Sequence, residues 1–429
     1  MATTDQDEAQ LEALLSGLLS TPQPGDAVSG EQFTVVVKAG LHRAVTGGRP
    51  SVDSLGCAEV LHGAASDRDL ARATLKARME ALERYASVSC VDERSTVTTA
   101  GELGPAALPL HLLPRHGSQE AGPRSGTHGV LGMQDEVRWA QATRWSDRAT
   151  VFVPAVMAFN TTPRHPGEQF WVPVSTGTAA HVSRARAREN AVLEVVERDA
   201  VALNWLLRTS GRRISRAGDG IITSDTDTLR APHPTSVGET ALTSWDITSD
   251  LGIPTVLSVL RGPGRILRHV VGAASRRTLC DAAVASAAEA AQIYSGLDSA
   301  VRSGDRAPRT PGRCRRIHDG ALFMASAARA HCFGYLHGEE PDDAREQSGG
   351  PLSHSGDPVG RLIEAGHEIY FVDLTPRDVA RAGVHVIRAI VPTLQPLSPV
   401  HAARYLASTR LHRSGVPVAE MNPMPCPLA

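Results

Sequence analysis

The chain has 429 residues, with 44 Lys and Arg against 46 Asp and Glu, and a formal net charge of −2. That length can bury more than one core, and the balanced charge gives no reason to expect nucleic acid or an anionic membrane as partner. No apolar run approaches the ~20 residues of a membrane span, and no two of the six cysteines have C-x-x-C spacing, which argues against structural zinc.

The N-terminus is acidic and polar, unlike a secretory signal, so a reducing cytoplasm with free thiols is expected. Leu11, Leu14, Leu15, Leu18 and Leu19 form one stripe of a helix over Glu8 to Leu19, which Thr21-Pro-Gln-Pro-Gly25 ends. It serves either as a docking helix or as a loosely attached tail. Residues 1–50 are accordingly set apart from a main domain of residues 51–429.

Within that domain, Gly101 to Gly129 reads as a loop, and Thr150 to Ala158 and Phe170 to Val174 read as strands. Ser183 to Leu207 is a long helix, Thr255 to Leu260 a short buried strand, and Ala282 to Leu297 an Ala-rich helix. Ser303 to Arg316 and His337 to Pro358 are loops; the Arg-rich first one reads as a solvated turn. Strands at Glu368 to Asp373 and Val384 to Ile390 flank a short helix that starts at Thr375-Pro376. The predicted class is α+β, with mixed helix and sheet.

The most informative feature is a repeat. Met79-Glu80-Ala-Leu-Glu83-Arg84-Tyr85-Ala86 returns as Leu193-Glu194-Val-Val-Glu197-Arg198-Asp199-Ala200. On a helix, positions i, i+3 and i+4 share a face, so each copy groups two carboxylates and a guanidinium. One such copy is usually a solvated, salt-bridged face. A solvated face has no reason to reproduce its apolar flank as well, yet Leu82 and Tyr85 are matched by Val195, Val196 and Ala200. The set suits a nucleotide, with carboxylates holding Mg²⁺ and Arg neutralising phosphate. No P-loop or dinucleotide glycine motif competes with it, and neither a G-x-S-x-G elbow nor H-E-x-x-H occurs.

These residues resemble the YcaO family. The resemblance runs from about Ser51 to Ala429. Its carriers are Glu80-x-x-Glu83-Arg84, Val174-Ser-Thr-Gly-Thr-Ala-Ala180 leading into Glu194-x-x-Glu197-Arg198, Glu289-Ala-Ala-Gln292, Asp246 to Pro254 and Val372 to Pro392. It implies a YcaO fold with the duplicated helices around a nucleotide cleft, and ATP and Mg²⁺ as cofactors. Glu80, Glu83, Glu194 and Glu197 would hold the metal and converge on it; Arg84, Arg198 and Gln292, with Glu83 and Glu197, would contact the nucleotide.

The sequence Asn422-Pro-Met-Pro-Cys-Pro-Leu-Ala429 resembles the P-x-P-x-P tail of azoline-forming cyclodehydratases. Alternating prolines give a stiff, extended strand. By resemblance, Pro423, Pro425, Pro427 and Ala429 would lie beside the active site, near Glu194 and Glu197. The implied reaction is ATP-dependent conversion of Cys, Ser or Thr in a precursor peptide to thiazoline or oxazoline. A separate E1-like or docking subunit would bind the leader peptide, and the chain would form a homodimer. Lys76 stands where the family often has Ser; Val182 and Arg186 stand where a Gly-Asn and acidic pattern is usual; and no Arg follows Gln292 closely. A scaffold homologue and a thioamide- or amidine-forming YcaO therefore stay as alternatives.

Overall fold

The computed structural model describes residues 36–38, 41–48, 61–67, 70–89, 91–120, 129–161, 163–214, 241–262, 264–337 and 356–428. The helix expected at Glu8 to Leu19 and most of the loop expected at His337 to Pro358 lie outside them. The chain divides into two compact units. The first comprises Met1–Leu112, Val130–Val192 and Glu368–Val391; the second comprises Leu113–Gly129, Leu193–His367 and Pro392–Ala429.

In the first unit, β1 (Val36–Lys38), β2 (Leu41–Gly48) and β3 (Leu61–Asp67) form an antiparallel sheet. β1 and β2 precede the domain boundary expected at residue 50 and pair, through β2, with β3 beyond it. Helix α1 (Leu70–Val88) lies against this sheet with backbone close to backbone. A Cβ at Gly63 would come within 1.8 Å of the Ala77 carbonyl oxygen. The second sheet contains β4 (Ser95–Thr98), β5 (Val137–Arg144), β6 (Thr150–Pro154) and β7 (Thr178–His181). Two strands from late in the chain, β12 (Tyr370–Asp373) and β13 (His385–Ile390), complete the order β4-β5-β12-β13-β7, with β6 also on β5.

Three readings from sequence are corrected here. The apolar run Phe170 to Val174 is not a strand, although Phe170, Trp171 and Val172 are buried. A 3₁₀ turn at Pro166–Phe170 curls the chain around Glu168, whose buried carboxylate accepts from the backbone N–H groups of Arg138 and Arg164 and from the Arg138 guanidinium. The strand expected through Ala158 stops at Pro154, whose ring leaves no N–H for a ladder, and Ala155–Ala158 forms one helical turn. The stretch read as a loop from Gly101 begins in a helical turn, Ala100–Leu103, capped by Thr99 and Glu102, and continues through two 3₁₀ turns.

Helix α2 (Arg184–Leu207) contributes residues up to Val192 to the first unit and Leu193 onward to the second. The second unit is built on the antiparallel sheet β11-β10-β9-β8, with β8 at Arg212–Arg213, β9 at Ala241–Asp246, β10 at Thr255–Arg261 and β11 at His269–Ser275. Side chains alternate between the faces of a strand. Val256, Leu260 and Val270 pack with residues of α3 (Leu279–Arg302) on one face. On the other, Trp245, Leu257, Val259, Val271 and Ala273 join Val201 and Trp205 of α2 in the main core of the unit. Ser244, Ser258 and Ser286 link hydroxyl to hydroxyl at 2.8 and 2.7 Å, so their burial leaves no polar atom stranded. The mixed α+β class read from the sequence is the one observed.

Candidate functional site

The two copies of E-x-x-E-R fold alike, each within its own unit. In the first, Arg84 Nη2 lies 2.6 Å from Glu80 Oε1, and Glu83 Oε1 accepts from the backbone N–H of Ala180 on β7 at 2.7 Å. In the second, Arg198 Nη2 lies 3.9 Å from Glu194 Oε1, and Glu197 Oε2 accepts from the backbone N–H of Ser275 on β11 at 3.1 Å. In both, the leading Glu faces its own Arg one turn later, and the second Glu is anchored to a strand. The apolar flank is buried in both: Leu82 and Tyr85 in the first, Val196 and Ala200 in the second. The repeat read in the sequence is therefore a repeat of side-chain roles.

The second copy lies among further charges. Glu289 on α3 accepts from the backbone N–H of Ala273 at 2.6 Å. Burial, and then repulsion from Glu289, raises the Glu197 carboxyl to about 7, against the pull of Arg198 and Arg276. Glu289 is raised too, first by burial. Burial works against the Arg198 charge, but Glu197, Glu194 and Glu289 outweigh it and keep the guanidinium protonated. Arg198 Nε is buried and makes no hydrogen bond; Glu197 Oε1 is 3.7 Å away.

A buried guanidinium nitrogen without an acceptor, beside two carboxylates that resist ionising together, suits an anionic phosphate carried with a divalent cation. Among the described residues, no three His, Cys, Asp or Glu side chains are placed to hold a metal by themselves. Gln292 lies one turn beyond Glu289 on α3.

Asp199, the next residue of the motif, has a structural task. Its fully buried carboxylate accepts from Gln395 N at 2.7 Å and from Arg410 Nη2 at 2.8 Å, and Arg410 also binds Asp250. Burial raises the Asp199 carboxyl even so.

The proline-rich segment is packed into the second unit. Asn422 N donates to Leu206 O at 2.8 Å, Trp205 Nε1 donates to Met424 O at 3.1 Å, and Leu428 is part of the main core. Burial pushes the Cys426 thiol up to about 11, with Arg198 among the charges acting on it. Gly320, in α4 (Ile317–Met324), lets the segment pass close by, since a Cβ there would lie 2.3 Å from Cys426 O. Ala429 lies outside the described residues.

Glu289, Arg276 and the seat of Cys426 were not assigned from sequence. Glu289 was visible only as the flank of Gln292. Arg186, the departure at the start of α2, is 3.5 Å from Glu189 and 40% exposed. His181 ends β7, where its Nδ1 accepts from Ser183 N at 2.8 Å. Among the described residues, no helix is long and apolar enough to cross a membrane.

Similar solved structures establish the fold. A heterocyclase in complex with substrate and cofactor matches with a TM-score of 0.69 at 18% identity, over 98% of this chain and 57% of that one. This chain thus spans little more than half of that relative's length. YcaO from Methanopyrus kandleri, bound with AMPPCP and Mg²⁺, matches with a TM-score of 0.59 at 19% identity, over 90% of this chain and 88% of that one. A chain of the E. coli microcin synthetase McbBCD complex matches with a TM-score of 0.68 at 14% identity, over 95% and 99%. No curated protein matches the sequence. The family profile described as YcaO cyclodehydratase, ATP- and Mg²⁺-binding, matches residues 65–395, and the chain belongs to that family.

Proposed function

We propose that this chain is the ATP-dependent cyclodehydratase of a peptide-modifying system, forming thiazoline or oxazoline rings from Cys, Ser or Thr of a precursor peptide. The observation that carries this reading is the buried, acceptor-less Arg198 Nε beside Glu197 and Glu289 in a unit that also houses the proline-rich segment. When bound, ATP with Mg²⁺ supplies the phosphoryl group that makes an amide oxygen a leaving group.

Glu80, Glu83, Glu194 and Glu197 are assigned to the metal, directly or through water. Arg84, Arg198 and Gln292, with Glu83 and Glu197, contact the nucleotide. Glu289 is added to the acidic set. Arg198 neutralises phosphate charge where burial keeps water from screening it. Pro423, Pro425, Pro427 and Ala429 belong to the segment that positions the peptide's reacting groups, as in the D-protein type of cyclodehydratase. Residues 51–429 form the catalytic domain, with β1 and β2 of the preceding segment adding to its first sheet.

The partners proposed are the precursor peptide, a separate leader-binding subunit and a second copy of the chain. A peptide substrate and partner proteins are supported by the similar E. coli microcin synthetase complex, which has been solved with pro-MccB17 bound. Arg186 is engaged with Glu189, which supports a site still able to accept a cation rather than a degenerate scaffold.

Calorimetry with AMPPCP and excess Mg²⁺ should show saturable binding that Arg198→Met and Glu197→Gln weaken at least tenfold. Mass spectrometry should then show ATP-dependent loss of one water per ring from a leader-bearing peptide containing Cys, Ser and Thr. Nucleotide binding without water loss in the presence of the partner subunit would favour the scaffold reading. No nucleotide binding at all would end the proposal.

A further inference from the structure

The second unit holds a cleft of about 280 Å³ at the far end of its sheet from Glu197. Glu197 is anchored at Ser275, the last residue of β11, whereas the cleft is lined by His269, the first. Six residues of strand, at ~3.3 Å each, put ~20 Å between those positions.

The register explains which side chains reach the cleft. Arg261 pairs with His269, Leu257 with Trp245 and Val259 with Val271, so Arg261, Val259, Trp245 and His269 share the sheet face opposite α3. The facing wall is the 3₁₀ helix Ala327–His337. Side chains three apart eclipse on such a helix, and Ala327, Ala330 and Phe333 form a ridge along the cleft. Gly334 also lines it, with nothing within 4 Å of where a Cβ would stand.

The lining combines rings with positive charge. The rings of His269 and Phe333 stack with centroids 5.3 Å apart, and those of Trp245 and His337 meet edge to face at 5.5 Å. Among the described residues, Arg261 and Arg268 both line the cleft, and no acidic residue does. Arg268 donates to Gly262 O at 2.7 Å, whereas Arg261 has no ion pair or side-chain hydrogen bond among the described residues.

Two buried polar atoms of lining residues, Trp245 Nε1 and His269 Nδ1, also make no hydrogen bond. Trp245 is 1% and His269 6% exposed, so solvent does not satisfy them. Buried groups of this kind normally have a partner.

We propose that this cleft is a binding site for a one-ring aromatic or heteroaromatic carboxylate. The carboxylate is held by Arg261 and Arg268, and the ring lies among Phe333, Trp245 and His269. The volume is at the lower end of small-molecule sites, ~300–1,000 Å³, and admits one ring with its carboxylate and a short substituent. The site is separate from the nucleotide residues and does not depend on their assignment.

Ligand-observed NMR and calorimetry on the full chain test this, with benzoate and thiazole-4-carboxylate as probes. Benzamide keeps the ring without the charge, and cyclohexanecarboxylate keeps the charge without the aromatic face. Both acids should bind saturably, and both controls should bind at least tenfold more weakly. Arg261→Gln should weaken the acids about tenfold or more. Gly334→Leu, which has room for its side chain, should fill the cleft and abolish binding. Both variants should keep the wild-type melting temperature and AMPPCP affinity.

Absence of saturable binding in the wild type would overturn the proposal. So would acid affinities that neither variant changes, or controls that bind as tightly as the acids.

Discussion

Gly320→Ala separates the seating of the proline-rich segment from the folding of the rest of the second unit. The added methyl would stand 2.3 Å from Cys426 O, more than an ångström inside ordinary contact of ~3.5 Å. Helix α4 gains from the change, since Ala is favoured over Gly by ~0.8–1 kcal/mol in a helix interior. The strain, ~1–3 kcal/mol for such overpacking, therefore falls on the segment. Holding Leu428 in the core is worth a similar ~1.5–3 kcal/mol, so the segment should be substantially released.

Cys426 reports the release. Its thiol is pushed up to about 11 by burial. At pH 8 that leaves about one molecule in a thousand as thiolate, against about one in four for a free cysteine with a pKa of ~8.5. Alkylation by iodoacetamide, followed at Cys426 by mass spectrometry, should accelerate by up to about two hundredfold from ionisation alone. Cys314, itself pushed up to about 11 and buried, is the internal control and should not change. If the segment positions reacting groups, turnover should fall about a hundredfold while AMPPCP affinity is retained. Wild-type alkylation together with wild-type turnover would refute the reasoning.

Gly272→Ala should destabilise the chain by ~1–3 kcal/mol or more in denaturant unfolding, because its Cβ would lie 2.3 Å from Ala290 N and 2.4 Å from Ser286 O; an unchanged midpoint would show that α3 can lift from the sheet at little cost. Arg410→Met should cost ~3–5 kcal/mol by leaving the buried Asp199 carboxylate without its guanidinium, and adding Asp199→Asn should recover much of it. A single-variant loss below ~1 kcal/mol would contradict that account. His269 is held down to about 4, first by burial and then by Arg261 and Arg268. The unfolded imidazole takes its proton near pH 6.5, so its contribution to stability is complete above that pH and is lost as pH falls toward 4. His269→Phe should flatten the stability profile in that window, and a profile identical to wild type would disprove it.

The E-x-x-E-R repeat was legible because helical spacing and the apolar flank are both local properties of a dozen residues. The strand at Thr255 was legible for the same reason. β5 and β9 were not, because Arg138, Gln141 and Thr243 break the apolar patterns that mark strands. Arg138 shows this best: it reads as a surface residue and is buried because Glu168, thirty positions later, folds back to meet it.

The proline spacing at the end of the sequence announced a stiff segment. Its seat depends on Gly320 and Trp205, more than a hundred residues before it, and no local pattern joins them. Glu289 stood in the sequence only as the flank of Gln292, because the Ala273 N–H that holds it and the Glu197 charge that it repels lie far from it along the chain.

Gly63 and Gly272 place two acid-bearing helices, α1 and α3, on their sheets with peptide groups in contact rather than side chains. The separation of helix axis and strand at those points is then a property of the main chain, which mutation elsewhere in the interface leaves alone. Sequence drift can exchange apolar side chains along both helices while the backbones that carry Glu80, Glu83 and Glu289 stay at a constant height above their strands. Each of these two helix–strand contacts tolerates turnover of most of its own surroundings. The restriction is concentrated at two positions where even a methyl group is too large.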